Sequence, residues 1–147
     1  MTYMSSIENT SKKTAVILLG HGSRAAGAAE DMETVVAQLK QELDYDIVEI
    51  CQMSGLGEHF PEVFDKCVAL GATKVLVMPY FLHFGIHLRQ DVPEMMLEKA
   101  KQYPNVKMML GKHLGFDNAL VEVVKRRIVE SETLDDIRNM DVEHCGK

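Results

Sequence analysis

The chain has 147 residues, 46% of them hydrophobic, and a formal net charge of −6 at pH 7. This length and composition suit one domain with one core, and the negative charge argues against nonspecific nucleic-acid binding. No apolar run reaches the roughly 20 residues of a membrane-spanning helix, and the polar first residues lack the apolar segment of a secretory signal. The three cysteines are odd in number and far apart, so they predict no disulfide framework. We therefore expect a cytoplasmic protein.

Apolar runs alternate with helical patterns along the chain, which predicts four strands and four helices. The predicted strands cover residues 14–19, 47–53, 74–80 and 106–110. The predicted helices follow them over residues 32–43, 60–67, 91–103 and 117–128. Gly71 has the position of a residue that ends the second helix. Asp91 and Glu94 have the spacing of a capping box at the start of the third, and Asp117 is the predicted cap of the fourth.

Alternating strands and helices predict an α/β fold, a single flavodoxin-like, doubly wound sandwich with a mostly parallel four-stranded sheet in the order 2-1-3-4. We expect a flexible leader over residues 1–13, one domain over residues 14–130 and an acidic tail over residues 131–147. In this order the first and third strands are neighbours, and the topological switch lies between them. Ligands of open α/β sheets bind at such a switch.

Two loops at this switch carry the residues of chemical interest. The first is Gly20-His21-Gly22-Ser23-Arg24, which fits neither the dinucleotide-binding nor the Walker pattern. Its glycines favour a tight turn or a close approach to a ligand, and the helix that follows offers free N–H groups to an anion. The alternative is a tight turn whose histidine bonds only to backbone. The second loop is aromatic and contains Phe81, His83, Phe84, Gly85, His87 and Arg89.

Neutral imidazoles bind metals and accept protons near pH 7, so His21, His83 and His87 are the main candidates. His83 has a second interpretation, as a residue that packs beside the phenylalanines. Glu58 follows the second strand and is either a proton relay or a solvated acid. Cationic side chains that form either a rim around the cleft or ordinary surface charge are Arg24, Arg89 and Lys112. The histidines interpreted as surface or capping residues are His59, His113 and His144, the last beside Cys145.

Together, the two loops resemble the short, single-domain form of the sirohydrochlorin cobaltochelatase family, relatives of the class II chelatases. The resemblance covers roughly residues 14–130. The residues that match its motifs are Gly20 to Arg24, Pro79, Phe81, Leu82, Gly85, His87, Asp91, Pro93, Leu114, Gly115 and Asp117. The loop after the second strand departs from the family pattern, which leaves the role of Glu58 open. His83 replaces a residue that is small in many relatives, a change that bears on metal preference.

The resemblance implies a chelatase that inserts Co²⁺ into sirohydrochlorin, a step of cobalamin biosynthesis, with His21 and His87 as the catalytic, metal-handling pair. We include His83 as a further candidate metal ligand. It implies a homodimer, a substrate metal and no permanently bound cofactor. Residues expected to contact the substrate are Ser23, Arg24, Phe81, Phe84, Gly85 and Arg89. The alternatives are insertion of Fe²⁺ or Ni²⁺, a noncatalytic tetrapyrrole or metal carrier, and a nucleotide binder that uses the first loop as a phosphate turn.

Overall fold

A four-stranded sheet organises the fold in the computed structural model, which describes residues 13–25, 27 and 29–140. The strands are β1 (Lys13–Gly20), β2 (Ile47–Gln52), β3 (Ala72–Pro79) and β4 (Lys107–Leu110). They pair in the order β2-β1-β3-β4, and every pair is parallel. The predicted α/β class and strand order are confirmed, and the sheet is wholly rather than mostly parallel.

β1 lies inside the sheet and is buried on both faces. Because side chains alternate along a strand, Ala15, Ile17 and Leu19 join the apolar cluster on one face, while Val16 and Leu18 join the cluster on the other. A strand buried on both faces is typical of a parallel sheet covered by helices on each side. The end of β1 is therefore a rigid base for the loop that follows it.

The helices are α1 (Glu30–Glu42), α2 (Phe60–Ala69), α3 (Val92–Gln102) and α4 (Asn118–Ser131), with a 3₁₀ turn at Ile137–Asn139. Met32 and Val36 of α1 pack in the cluster that contains Val16. The opposite cluster contains buried residues of α2 and α3, namely Phe60, Val63, Phe64, Cys67, Val92 and Met96. In the part of the chain that the structure describes, no helix combines the length and apolar character needed to cross a bilayer.

Two of the three predicted helix-capping roles are confirmed. Gly71 follows α2 with a φ of +101°, and the Asp117 carboxylate accepts a hydrogen bond of 2.8 Å from the N–H of Ala119. The predicted capping box of Asp91 is wrong. Its backbone is already helical and its side chain caps nothing, because a π-helical turn, His87–Asp91, leads directly into α3. Pro93 gives a physical reason, since it has no N–H for the carbonyl four residues earlier and its ring crowds that group.

The described chain forms two compact units, one ending at Gly115 and one beginning at Phe116. The first contains the whole sheet and α1 to α3. The second contains α4, none of whose residues is buried, and its exposed apolar side chains include Val124, Ile128 and Val129. The leader expected over residues 1–13 lies almost wholly outside the described residues, as do His144 and Cys145 of the expected tail. The domain limits stay predictions.

Candidate functional site

The ends of β1 and β3 bring the two predicted loops together. The strands pair up to Leu19 and Pro79, and the N–H of Tyr80 donates a hydrogen bond of 2.8 Å to the Leu19 carbonyl. The residues that follow are therefore neighbours. The rings of His21 and Phe81 stack with centroids 4.1 Å apart and an interplanar angle of 25°.

His87 completes this group from the π-helical turn. Its ring centroid lies 5.2 Å from that of His21, and the two rings meet edge to face at 85°. Both histidines line a cavity of about 330 Å³. Its other lining residues are Tyr80, Phe81, Leu82, His83, Gly85 and Leu88. The predicted meeting of His21, His83 and His87 at one cleft is thus seen in the structure.

Main-chain hydrogen bonds hold the loop that carries His21. The N–H groups of Met53 and Leu56 donate to the carbonyls of Gly20 and Ser23 at 2.9 and 2.8 Å. Gly22 has a φ of +97°, and a Cβ there would lie 1.7 Å from the Ser54 carbonyl oxygen. The close approach seen at Gly22 is therefore to the loop after β2, and the predicted approach to a ligand stays a prediction.

Side-chain hydrogen bonds also fix the loop after β2, which contacts the His21 loop. Ser54 Oγ donates to the His21 carbonyl at 3.3 Å. The His59 ring lies at the start of α2, with Nε2 3.0 Å from the carbonyl oxygen of Gly55. His59 therefore caps α2, which is one of the two roles that the sequence suggested for it. The position of His21 thus depends on two strands and two loops.

The chemical state of His21 follows from its surroundings. Partial burial, and secondly the positive charge that His87 carries when protonated, lower the pKa of His21 below its ordinary value. The ring therefore keeps a free lone pair to a lower pH than a fully solvated histidine does. A neutral imidazole is the form that accepts a proton or binds a metal ion.

Sequence reasoning missed the role of Asp91. Nδ1 of His87 lies 2.7 Å from Oδ2 of Asp91, so the carboxylate predicted to cap a helix instead contacts a site imidazole. The spacing of four residues between them was the available signal, since residues at i and i+4 share a helix face.

His113 was also missed. Its ring stacks on Phe84, with centroids 5.5 Å apart at 29°, and the guanidinium of Arg89 lies 4.8 Å from the centre of the same ring. Arg89 Nε further donates to the Phe84 carbonyl at 3.1 Å. Only the strand order, which places the loop after β4 beside the loop after β3, hinted at this contact. The Leu114 N–H accordingly donates to the Phe81 carbonyl at 2.9 Å.

The remaining predicted residues have different surroundings. Ser23 lines a neighbouring cavity of about 430 Å³, which His21 and Tyr80 also line. Arg24 is exposed, and Glu58 lines a third cavity beside Lys40. Gly85 has open space where a Cβ would stand. Among the residues that the structure describes, no three His, Cys, Asp or Glu side chains form a metal-binding group.

Comparison with known proteins identifies the family. The CbiX family model matches residues 15–131. The chain is 29% identical to the sirohydrochlorin ferrochelatase of Priestia megaterium over 117 residues, which are 80% of this chain and 44% of that protein. It is 32% identical to the sirohydrochlorin cobaltochelatase of the same organism over 124 residues, or 84% and 40% of the two chains.

The fold matches a solved structure of the same kind. The sirohydrochlorin chelatase SirB from Bacillus subtilis subspecies spizizenii, in complex with cobalt, superposes with a TM-score of 0.75 at 29% identity. The match covers 80% of this chain and 50% of that one. The chain thus spans about half the length of these three relatives. With four-fifths of its residues inside the family match, the chain belongs to the CbiX family.

Proposed function

We propose that this chain inserts a divalent metal ion, Co²⁺, into sirohydrochlorin. The observation that carries the proposal is the closeness of the His21 and His87 rings. Their centroids lie 5.2 Å apart, and both rings line one cavity at the topological switch of the sheet. Insertion requires the loss of two protons from pyrrole-type nitrogens and the transfer of a partly dehydrated metal ion to four ring nitrogens. Two neutral imidazoles can do both, and they leave coordination positions open for exchange.

The surroundings of the pair suit a flat, anionic macrocycle. Phe84 is 51% exposed, and Leu82 and Ile86 are exposed on the same loop. These apolar side chains offer a surface for the ring system, while Arg24 and Arg89 offer positive charge to its carboxylates. Such local charge is needed because the chain as a whole is negative. Glu58 is left out of the proposed proton path, because it lines a different cavity.

The choice of Co²⁺ is the finer part of the proposal. The relatives include both a cobaltochelatase and a ferrochelatase, so Fe²⁺ is the alternative that a specific observation favours. Binding order among first-row ions is generic and does not separate them. His83 lines the cavity and is exposed, which makes it the residue at which metal preference is proposed to be set.

An anaerobic absorbance assay tests this function. Sirohydrochlorin is mixed with Co²⁺, Fe²⁺ or Ni²⁺, with and without the protein, and the spectral change of metal insertion is followed. We expect acceleration with each productive metal and the highest kcat/KM with Co²⁺. A higher kcat/KM with Fe²⁺ would mean that the reaction is metal insertion as proposed but that Fe²⁺ is the preferred metal. Binding of sirohydrochlorin without acceleration by any metal would favour a carrier.

We further propose that two copies pair as a homodimer in the cytoplasm. One cavity of about 330 Å³ encloses only part of a tetrapyrrole, and a second copy would enclose more of it. The exposed apolar side chains of α4, including Ile128 at 57% exposure, are a candidate surface for pairing. Light scattering should give twice the mass of one chain. Ile128→Asp should lower that mass, whereas Lys125→Ala on the same helix should not, and an active monomer would contradict the proposal.

A further inference from the structure

A carboxylate holds one nitrogen of the His87 ring. The 2.7 Å contact joins Nδ1 of His87 to Oδ2 of Asp91, and the two side chains are 53% and 47% exposed. An ionised carboxylate has lone pairs but no hydrogen to donate, so the hydrogen of this bond belongs to Nδ1. In the neutral ring the lone pair is then on Nε2, the nitrogen that Asp91 does not contact.

The π-helical turn makes this pairing possible. His87 is the first residue of the turn and Asp91 is the last. Asp91 has helical dihedral angles (φ −66°, ψ −43°) and makes no capping bond, which leaves its carboxylate available to the imidazole. Single π turns inside helices are rare and frequently occur at functional sites. Both partners of the bond therefore belong to one short, regular segment.

We infer that Asp91 is a positioning residue that keeps His87 in the Nδ1–H tautomer, so that Nε2 receives the proton or the metal ion. This inference rests on the proposed function, in which His87 is one of two reacting imidazoles. The ring that Asp91 holds lies 5.2 Å from the His21 ring and lines the same cavity. Carboxylates that hold metal-binding histidines in this way typically contribute about 10- to 100-fold to metal affinity or activity.

A purely structural role for Asp91 makes a different prediction. A half-exposed pair four residues apart on a helix contributes little to folding stability. If stability were its only role, removal of Asp91 would shift Tm slightly and leave both the tautomer of His87 and turnover unchanged. The tautomer is therefore the property to measure first.

Long-range ¹H–¹⁵N NMR correlations of the full chain report which ring nitrogen carries the hydrogen. The spectrum is recorded near pH 8.5, where an ordinary imidazole is neutral, and His87→Ala assigns the signals. We expect the Nδ1–H form in the wild type. In Asp91→Ala the ring should revert towards Nε2–H, the form that a free imidazole side chain prefers. Asp91→Asn should keep part of the Nδ1–H form, since its amide oxygen still accepts a hydrogen bond.

Insertion kinetics on the same variants supply the second readout. Asp91→Ala should lower kcat about 10- to 100-fold, with little change in KM for sirohydrochlorin and a Tm shift within about 2 °C. The kcat of Asp91→Asn should lie between those of Asp91→Ala and the wild type. The matched control is Glu94→Gln, which removes one negative charge from an exposed position of the same helix and should leave tautomer and kcat unchanged.

The two readouts separate failure of the inference from failure of the proposed function. An Nε2–H ring in the wild type, or an unchanged tautomer in Asp91→Ala, overturns the positioning role even if the protein inserts metal normally. A wild type that shows the Nδ1–H form but inserts no metal removes the proposed function and leaves the hydrogen bond established. A tautomer that changes in Asp91→Ala with no loss of kcat also overturns the positioning role.

Discussion

The imidazole of His21 stacks on the phenyl ring of Phe81, and this contact sets the plane of a proposed catalytic ring. Phe81 is only 4% exposed and its ring centroid lies 4.1 Å from that of His21. A flat aromatic surface restricts the tilt of the ring stacked on it, whereas an aliphatic side chain of similar bulk does not. The contact therefore links the buried core to the orientation of His21.

Phe81→Leu should lower the rate of metal insertion about tenfold, which corresponds to about 1.4 kcal/mol of transition-state stabilisation. Leu is smaller than Phe at this buried position, so unfolding should also lose about 1 to 2 kcal/mol. Insertion assays and denaturant unfolding measure the two effects. Phe64→Leu makes the same change at a fully buried position of α2 and should lower stability without lowering kcat. Equal rates in Phe81→Leu and the wild type would show that the stacking has no role.

Replacement of either proposed catalytic histidine should be severe. His21→Ala and His87→Ala should each reduce insertion about 100-fold or more, the usual contribution of a general base. Both rings are exposed, so circular dichroism and Tm should stay close to those of the wild type. His83→Ala should have a milder effect and alter the preference between Co²⁺ and Fe²⁺. A larger loss in His83→Ala than in His87→Ala would mean that the two roles are reversed.

The pKa of His21 should be measurably below about 6.5, the ordinary value for histidine. Burial is the main cause, and repulsion from protonated His87 adds to it. The ring therefore stays neutral to a lower pH than an ordinary histidine does, and NMR titration of the His21 ring in the wild type measures this. NMR titration of His21 in His87→Ala should give a higher pKa that is still below the ordinary value. An unchanged pKa in this variant would remove His87 as a cause.

Two glycines of the site loops should respond differently to alanine. Gly22 has a φ of +97° and its Cβ would meet the Ser54 carbonyl at 1.7 Å, whereas a Cβ at Gly85 would meet nothing within 4 Å. Gly22→Ala should therefore cost about 2 kcal/mol or more of unfolding free energy. Gly85→Ala should stay within about 0.5 kcal/mol of the wild type. Urea unfolding measures both, and similar losses would contradict the difference in space around the two glycines.

The buried thiols should be unreactive in the folded protein. Burial is the main cause that raises the pKa of Cys51 to about 12 and that of Cys67 to about 11, and the thiolate is the reactive form. In Cys145→Ser, a disulfide reagent at pH 8 should label almost nothing until denaturant is added, and then two thiols per chain. Rapid labelling before denaturation would show that one of these positions opens readily.

The sheet was predictable because its strands are apolar runs with a clear period, and β1 and β3 are buried where those runs predict. The meeting of His21 and His87 followed from strand order alone. The prediction that Asp91 caps a helix was wrong. An aspartate followed three residues later by a glutamate occurs both at the start of a helix and inside one, so the sequence did not distinguish the two cases. The strand order placed the loops of His113 and Phe84 side by side, but the contact of the two rings was not predictable, since it depends on side-chain packing between loops that are distant in sequence.

The loop that carries His21 is held almost entirely through main-chain atoms, which makes its neighbours suitable for protein engineering. The N–H of Leu56 donates to the Ser23 carbonyl whatever side chain residue 56 has, and that side chain is 56% exposed in the cavity next to His21. A library randomised at position 56 would thus vary the wall of this cavity while the imidazole stays in place. Such a library would change which substrates fit the cavity without changing the proposed reacting imidazoles.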